Sequence, residues 1–363
     1  MSDRPPRRLG LGRRQVLGGG ASLLALGGCS GLLQGPPIEP VPGPAPDLAQ
    51  VLTRIAFGSC LDQDRPQPIW DAVERYEPQL LLMMGDNVYA NAEDEATLRR
   101  AYAALGASEG YRRVRATTPV LATWDDHDYG RDDAGSEYRQ RDMSQRVMLD
   151  FFDEPADSPR RQRPGVYRSD LFGPAGQRVQ VLLLDTRYFR SELPHAAVRG
   201  RYQRREDPED TMLGPAQWAW LEQQLREPAD LRLLVSSVQL VADGHDFERW
   251  GVFPLERQRL LSTIASTQAK GVIVLSGDRH HSELSVLEGS AVGYPLHDLT
   301  VSSFNRPRSH PNEINEHRRG PIIDQSNFGT CDIDWGAREV SLRIWDERSV
   351  VRLEQPIPLS SLA

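Results

Sequence analysis

Three short stretches of this chain concentrate side chains that bind metals or move protons. Gly85-Asp86-Asn87-Val88-Tyr89 places a carboxylate three residues before a phenol. An aspartate directly after an apolar run can bridge two cations through its two oxygens, and a phenolate three residues on can reach the same ion. A helix cap followed by a core tyrosine would read the same way. Thr123-Trp124-Asp125-Asp126-His127-Asp128 sets three carboxylates around one imidazole. Such a group repels itself unless a cation or an arginine compensates. In Leu275-Ser276-Gly277-Asp278-Arg279-His280-His281, Asp278 and His280 alternate and so leave a strand on one side. They offer a hard oxygen and an imidazole nitrogen. Cys60 ends Ile55-Ala56-Phe57-Gly58-Ser59-Cys60, either as a small buried hydrophobe or as a thiolate ligand.

For these stretches to act together, the elements carrying them must end at one place. Arg54–Gly58, Gln79–Met84, Pro119–Thr123, Val179–Leu184, Leu231–Val235 and Val272–Leu275 read as buried strands. Amphipathic segments separate them: Pro68–Arg75, Glu95–Ala104, Pro215–Arg226 and Leu255–Thr267. That alternation predicts an α/β fold with helices covering sheets. After Pro295 the pattern turns strand-rich, with Asp298–Ser302, Cys331–Asp334, Glu339–Ile344 and Val350–Leu353. The polar clusters at Cys60, Asp86, Asp125 to Asp128, Asp185 and Asp278 to His281 all fall at strand carboxyl ends, where open α/β sheets bind ligands. One catalytic domain is expected. The charged Arg131–Pro164 stretch is expected to be an insertion near the site or a lid, and with Arg190–Thr211 to shape the pocket. The cysteines are Cys29, Cys60 and Cys331; a disulfide between the last two is arithmetically open in an oxidising compartment.

In order, the chain carries FGSC, GDNVYA, TWDDHDYG, LDTRYFR, SSVQ and SGDRHH. Each is weak alone, but the ordered set resembles the calcineurin-like metallophosphoesterases, and within them the alkaline phosphatase D (PhoD-like) family, from Arg54 to Trp335. The resemblance implies an α/β four-layer αββα sandwich: two mixed sheets flanked by helices, with the metal site at the strand C-terminal ends. It implies hydrolysis of phosphomonoesters and phosphodiesters at a mixed Fe³⁺ and Ca²⁺ centre, with other divalent metals as alternatives. Carried over residue by residue, Cys60 and Tyr89 are implied as iron ligands, Asp86 as the bridge and His280 as completing the iron shell. Asp126 and Asp278 would make the second site oxygen-only, which suits calcium, with Gln239 as a further ligand. A metal-bound Cys60 would be closed to disulfide formation. His127 is implied to sit beside the metals without binding them, as a proton donor or a stabiliser of the transferred phosphoryl group. Arg187 is a candidate to hold a phosphate oxygen, or else to pair with Asp185. The implied mechanism is in-line attack on phosphorus by a metal-bound hydroxide. A phospholipase D-type phosphodiesterase acting on lipid head groups is the alternative enzyme reading. A non-catalytic lipoprotein would have lost motif acids, and all of them stand. The chain departs from the family pattern at Arg131-Asp132-Asp133, where an asparagine-containing segment is expected, and at Arg141, where relatives often carry lysine.

The 363 residues are 39% hydrophobic and 26% charged, which excludes a disordered, collagen-like or polytopic membrane protein. A net charge of −8 argues against binding a phosphate backbone, so no specific nucleic-acid recognition is expected. Arg13-Arg14 precede the uncharged, apolar Val16–Gly28, too short to span a bilayer at about 20 residues. The pattern reads as an export signal and resembles a twin-arginine (Tat) signal. Leu26-Gly27-Gly28-Cys29 resembles a lipobox. The expected partners are therefore a phosphate ester substrate, the Tat translocase during export, and a membrane held through lipidated Cys29 facing the periplasm or the cell exterior. Gln34 to Pro46 carries six prolines in thirteen positions and is expected to be an extended tether. The expected division is 1–28 signal, 29–50 tether and 51–358 catalytic domain.

Overall fold

Strands that lack a polar face must be covered on both sides, and the structure, a computed structural model, meets that demand with two sheets. It describes residues 38–363 apart from 195–197, 199, 310 and 311. The expected signal, Cys29 and the first part of the tether lie outside the described residues. In chain order the elements are β1 (Arg54–Gly58), α1 (Ile69–Tyr76), β2 (Leu80–Met84), α2 (Glu95–Ala107), α3 (Glu109–Thr117), β3 (Val120–Thr123), α4 (Asp126–Tyr129), α5 (Arg141–Phe151), β4 (Arg168–Phe172), β5 (Val179–Leu183), α6 (Gly214–Leu225), β6 (Leu231–Ser236), α7 (Pro254–Ser266), β7 (Val272–Ser276), β8 (Ser282–Leu287), β9 (Leu296–Thr300), β10 (Arg318–Ile323), β11 (Asn327–Asp334), β12 (Glu339–Asp346) and β13 (Val351–Pro358).

The first sheet runs β13-β12-β11-β1-β2-β3 and the second β10-β8-β9-β7-β6-β5-β4. Both are mixed. β1, β2 and β3 are parallel, as are β5, β6, β7 and β9. Antiparallel strands continue each sheet outward. Along β1 and β2 the two-residue period of a strand sorts side chains between two cores. Ile55, Phe57, Leu80, Leu82 and Met84 share one with Val181, Leu233 and Val274 of the second sheet. Ala56, Leu81 and Met83 share the other with Trp70, Tyr102, Val114 and Met148 of the helices. On the second sheet, α6 and α7 contribute Trp218, Leu221, Leu260 and Ile264. This is the expected α/β sandwich of two mixed sheets flanked by helices.

Three expectations change. The Arg131–Pro164 stretch is not a lid: it contains α5, whose Val147, Met148, Leu149 and Phe151 are buried in the helical core. The tether does not extend to residue 50. Val41 is buried in that same core, Arg115 donates to the Pro44 carbonyl at 3.0 Å, and Gly173 N–H donates to the Leu48 carbonyl at 2.9 Å. The domain also passes 358, since Leu362 is buried and its carbonyl accepts from Gly271 N–H at 2.7 Å. Cys60 and Cys331 are both free and buried, so no disulfide joins them. Among the described residues no helix is long and apolar enough to cross a membrane.

Candidate metal centre

The carboxyl ends of the parallel strands from both sheets meet at one edge of the sandwich. Thr123 Oγ1 donates to the Leu184 carbonyl at 2.7 Å, and Ser59 Oγ to the Val301 carbonyl at 3.0 Å. Two glycines permit the approach. Gly85 has φ +109°, and a Cβ there would lie 2.6 Å from Asp125 Cβ; a Cβ on Gly277 would lie 2.6 Å from Ser59 Oγ. The chain then turns sharply. Cys60, Asp86, Asp278 and His280 all adopt left-handed backbone, with φ of 60°, 48°, 71° and 59°. Each such residue costs about 1 kcal/mol or more, which persists only where the surrounding fold enforces it.

These turns aim the side chains at one another. Tyr89 OH donates to Asp86 Oδ2 at 2.7 Å, and Cys60 Sγ lies 3.6 Å from the same oxygen. His280 Nε2 stands 3.4 Å from Tyr89 OH. The other Asp86 oxygen, Oδ1, accepts from His127 N–H at 3.2 Å. Ligand atoms of Cys60, Asp86 and His280 lie within 4.8 Å of one another, as do those of Asp86, Asp126 and His127, and those of Asp125, Asp126 and Asp278. Shared Asp86 and Asp126 link the three groups into one elongated site. Asp125 Oδ2 and Asp126 Oδ1 are buried there without a hydrogen-bond donor, an arrangement that a cation satisfies and a proton donor of the protein does not.

The charges make the same point. Burial, then repulsion from Asp126 and Cys60, pushes Asp86 well above the usual carboxylate range. Burial, then Asp125, does the same to Asp278. Burial also raises the Cys60 thiol and the Tyr89 phenol. Cations would reverse all four. Burial would raise Asp126 too, but His127 and Arg187 outweigh it and hold it low. Burial, then Arg308, lowers His280 to about 3, a neutral imidazole. Its Nδ1–H donates to the Arg306 carbonyl at 2.8 Å, which leaves the Nε2 lone pair facing the cluster.

The family model for PhoD-like phosphatases matches residues 55–341. The chain belongs to the PhoD-like phosphatase family. It is therefore a phosphoric ester hydrolase of a metal-dependent kind, and the clusters above are its candidate ligand sets. A solved structure of PhoD superposes with a TM-score of 0.68 at 16% identity, covering 86% of this chain and 73% of that one. The purple acid phosphatase PPD1 from yellow lupin (Lupinus luteus) seeds gives 0.58 at 12% identity, covering 88% of this chain and 55% of its own. At such identities these likenesses establish the fold. None of the curated proteins compared matches the sequence.

Within this PhoD-like site the structure brings together Cys60, Asp86, Tyr89, Asp126, His127, Asp278 and His280. It does not bring in Gln239. That amide donates to Glu283 and Thr300 at 3.0 and 2.9 Å, and its oxygen lies 2.9 Å from His245 Nε2, so the buried side chain is engaged by residues outside the three ligand groups. Arg187 is also corrected. It is fully buried, with Nε donating to Asp125 and Nη1 to Glu248, both at 2.6 Å. Only its backbone N–H meets the Asp185 side chain, at 2.9 Å. Arg187 thus anchors Asp125 from below instead of reaching a phosphate. A further cluster, His281, Glu283 and Glu313, is already compensated, because Arg318 pairs with Glu283 and Arg279 with Glu313.

Sequence reasoning missed the residues that support these ligands. Asn91 Oδ1 accepts from His127 Nδ1–H at 2.6 Å. Ser302 Oγ lies 3.1 Å from Cys60 Sγ and accepts from His280 N–H at 2.8 Å. Arg306 and Arg308 line a cleft of about 360 Å³ above the cluster, with His127, Asp278 and His280. Position is the signal for Ser302 alone, which follows β9 at the same sheet edge.

Proposed function

We propose that this phosphatase is an exported dinuclear enzyme acting on phosphate monoesters and diesters. The observation that carries the reading is Asp86, which sets one oxygen against a thiol and a phenol, in one group with the His280 imidazole, and turns the other to the His127 backbone N–H. Cys60, Tyr89 and His280 would hold a ferric ion and Asp126 and Asp278 a calcium ion, with Asp86 between them, because soft and aromatic donors on one side and oxygens on the other sort two different metals. When bound, such ions acidify water and draw charge off a phosphoryl group. The chain's own residues do the remaining work. Asn91 fixes the Nδ1 proton of His127, so a proton on Nε2 is directed into the cleft for the leaving alkoxide. Arg187 holds Asp125 in place through a fully buried pair.

Metal analysis of natively exported protein, with mono- and diester assays on the same sample, tests this. Both iron and calcium are expected, together with a visible charge-transfer band that Tyr89→Phe bleaches or shifts. Exhaustive chelation should abolish turnover, and calcium should restore it better than magnesium, which demands stricter octahedral geometry. A colourless, fully active enzyme containing only zinc would overturn the iron assignment, and full activity after chelation the metal requirement.

Export rests on Arg13-Arg14 and the uncharged stretch before Cys29. Cells fed labelled fatty acid should label the wild-type chain and not Cys29→Ser. A wild-type chain that takes up no label would rule out the lipid anchor.

A further inference from the structure

We infer that Arg308 selects substrates that carry a second oxyanion, a phosphate or carboxylate, beside the scissile phosphate; this rests on the phosphatase reading of the same cleft. Of the three arginines lining the cleft, two are already engaged. Arg279 is buried, paired with Glu313 and laid over the Phe247 ring at 4.3 Å. Arg306 lies over the Tyr89 ring at 3.8 Å and pairs with Asp62 at 3.2 Å. Arg308 is exposed, and among the described residues no carboxylate pairs with it. Its backbone is nevertheless fixed. Arg308 N–H donates to the His280 carbonyl at 2.7 Å, and Pro307 before it locks one backbone angle. Asn305, three residues back, is laced to Asp62 by bonds of 2.7 and 2.8 Å. A guanidinium without a carboxylate partner, carried on a fixed stretch of backbone one hydrogen bond from the candidate ligand His280, is placed to receive an anion.

The rest of the cleft gives direction to that anion. Asp132, Asp133 and Glu248 line it as well and repel a negative group. Asp133 accepts from the Tyr202 hydroxyl at 2.6 Å and Glu248 accepts from Arg187, so both stand there as acceptors and not as donors to an anion. A second oxyanion therefore finds a complementary partner at Arg308.

Calorimetric binding of 3-phosphoglycerate and glycerol 3-phosphate to metal-loaded protein tests this. The two share an alkyl phosphate and differ by one carboxylate. Wild type should favour 3-phosphoglycerate by about tenfold, the worth of one charge-assisted contact at a partly exposed site. Arg308→Ala should abolish the preference, and Arg308→Lys should keep part of it, since the ammonium retains charge but loses the planar fork. A wild type without preference, or a preference that survives in Arg308→Ala, would overturn the assignment. Ester hydrolysis is measured in parallel. Preference without hydrolysis of any phosphate ester would strike the phosphatase reading and leave the anion site standing.

Discussion

Asp86→Asn should empty both metal positions at once and take turnover below detection. Asp86 is the residue on which the two halves of the site depend, with Oδ2 against Tyr89 OH and Cys60 Sγ, and Oδ1 against the His127 backbone. Asparagine keeps the shape and tolerates the left-handed backbone that Asp86 adopts at φ 48°, so the fold should survive. The metal-free variant should melt no lower than metal-free wild type, because the substitution removes a buried carboxylate pressed by burial, Asp126 and Cys60. Asp278→Asn, in contrast, should release only the ion on the carboxylate side. Metal content and melting temperature, measured with and without chelator, check both. Two ions retained by Asp86→Asn would remove it from the bridging role.

His127→Ala should lower turnover by about 10²–10⁴-fold, the usual worth of a general acid or base, while both metals stay bound. The loss should be largest for alkyl phosphates and shrink for nitrophenyl esters, whose leaving group hardly needs a proton. Asn91→Ala should show a weaker version of the same pattern, because Asn91 holds the ring by Nδ1 at 2.6 Å without touching substrate. Asp126→Ala should behave differently, with metal content and activity falling together for every substrate. His127 also lies within ligand distance of Asp86 and Asp126, so the metal count decides. A stoichiometric loss of metal from His127→Ala would make it a ligand. A uniform loss on all leaving groups with metals retained would make it a stabiliser of transition-state charge.

The sequence was legible where one physical demand dominated. β1, β2, β3, β5, β6 and β7 are buried along nearly their whole length, so each is a mainly apolar run recognised to within a residue or two. The strands that escaped notice, β4 (RSDLF) and β10 (RRGPII), stand at the two edges of the second sheet. Edge strands carry charge to discourage pairing with other chains, and that charge hides them. β8 escaped because SELSVL follows directly on the His280-His281 turn and has few large apolar residues. α5 hid in a charged stretch because only one of its faces is buried. Within the site, a residue's place after a strand showed that it belonged to the right edge but not where its side chain pointed. Cys60, Asp86, Asp278 and His280 turn toward the cluster through left-handed backbone, whereas Arg187 and Gln239, also after strands, turn into the interior. Arg306 and Arg308 lie on a turn with no periodicity, so nothing in the sequence pattern placed them near the cleft.

The ligand set is drawn from both sheets. Cys60, Asp86, Tyr89 and Asp126 follow strands of the first, and Asp278 and His280 follow a strand of the second. Ions held by all of them would act as rivets through the seam of the sandwich. Along most of that seam the sheets adhere through side chains such as Phe57 and Leu82 against Val181 and Leu233, which no metal affects. At the site edge the facing groups are acids that repel one another when bare. Bonds from Thr123 and Ser59 and the buried Arg187–Asp125 pair hold the sheets there against that repulsion, so metal supply would govern how tightly one end of the molecule is clamped while the far end stays indifferent to it.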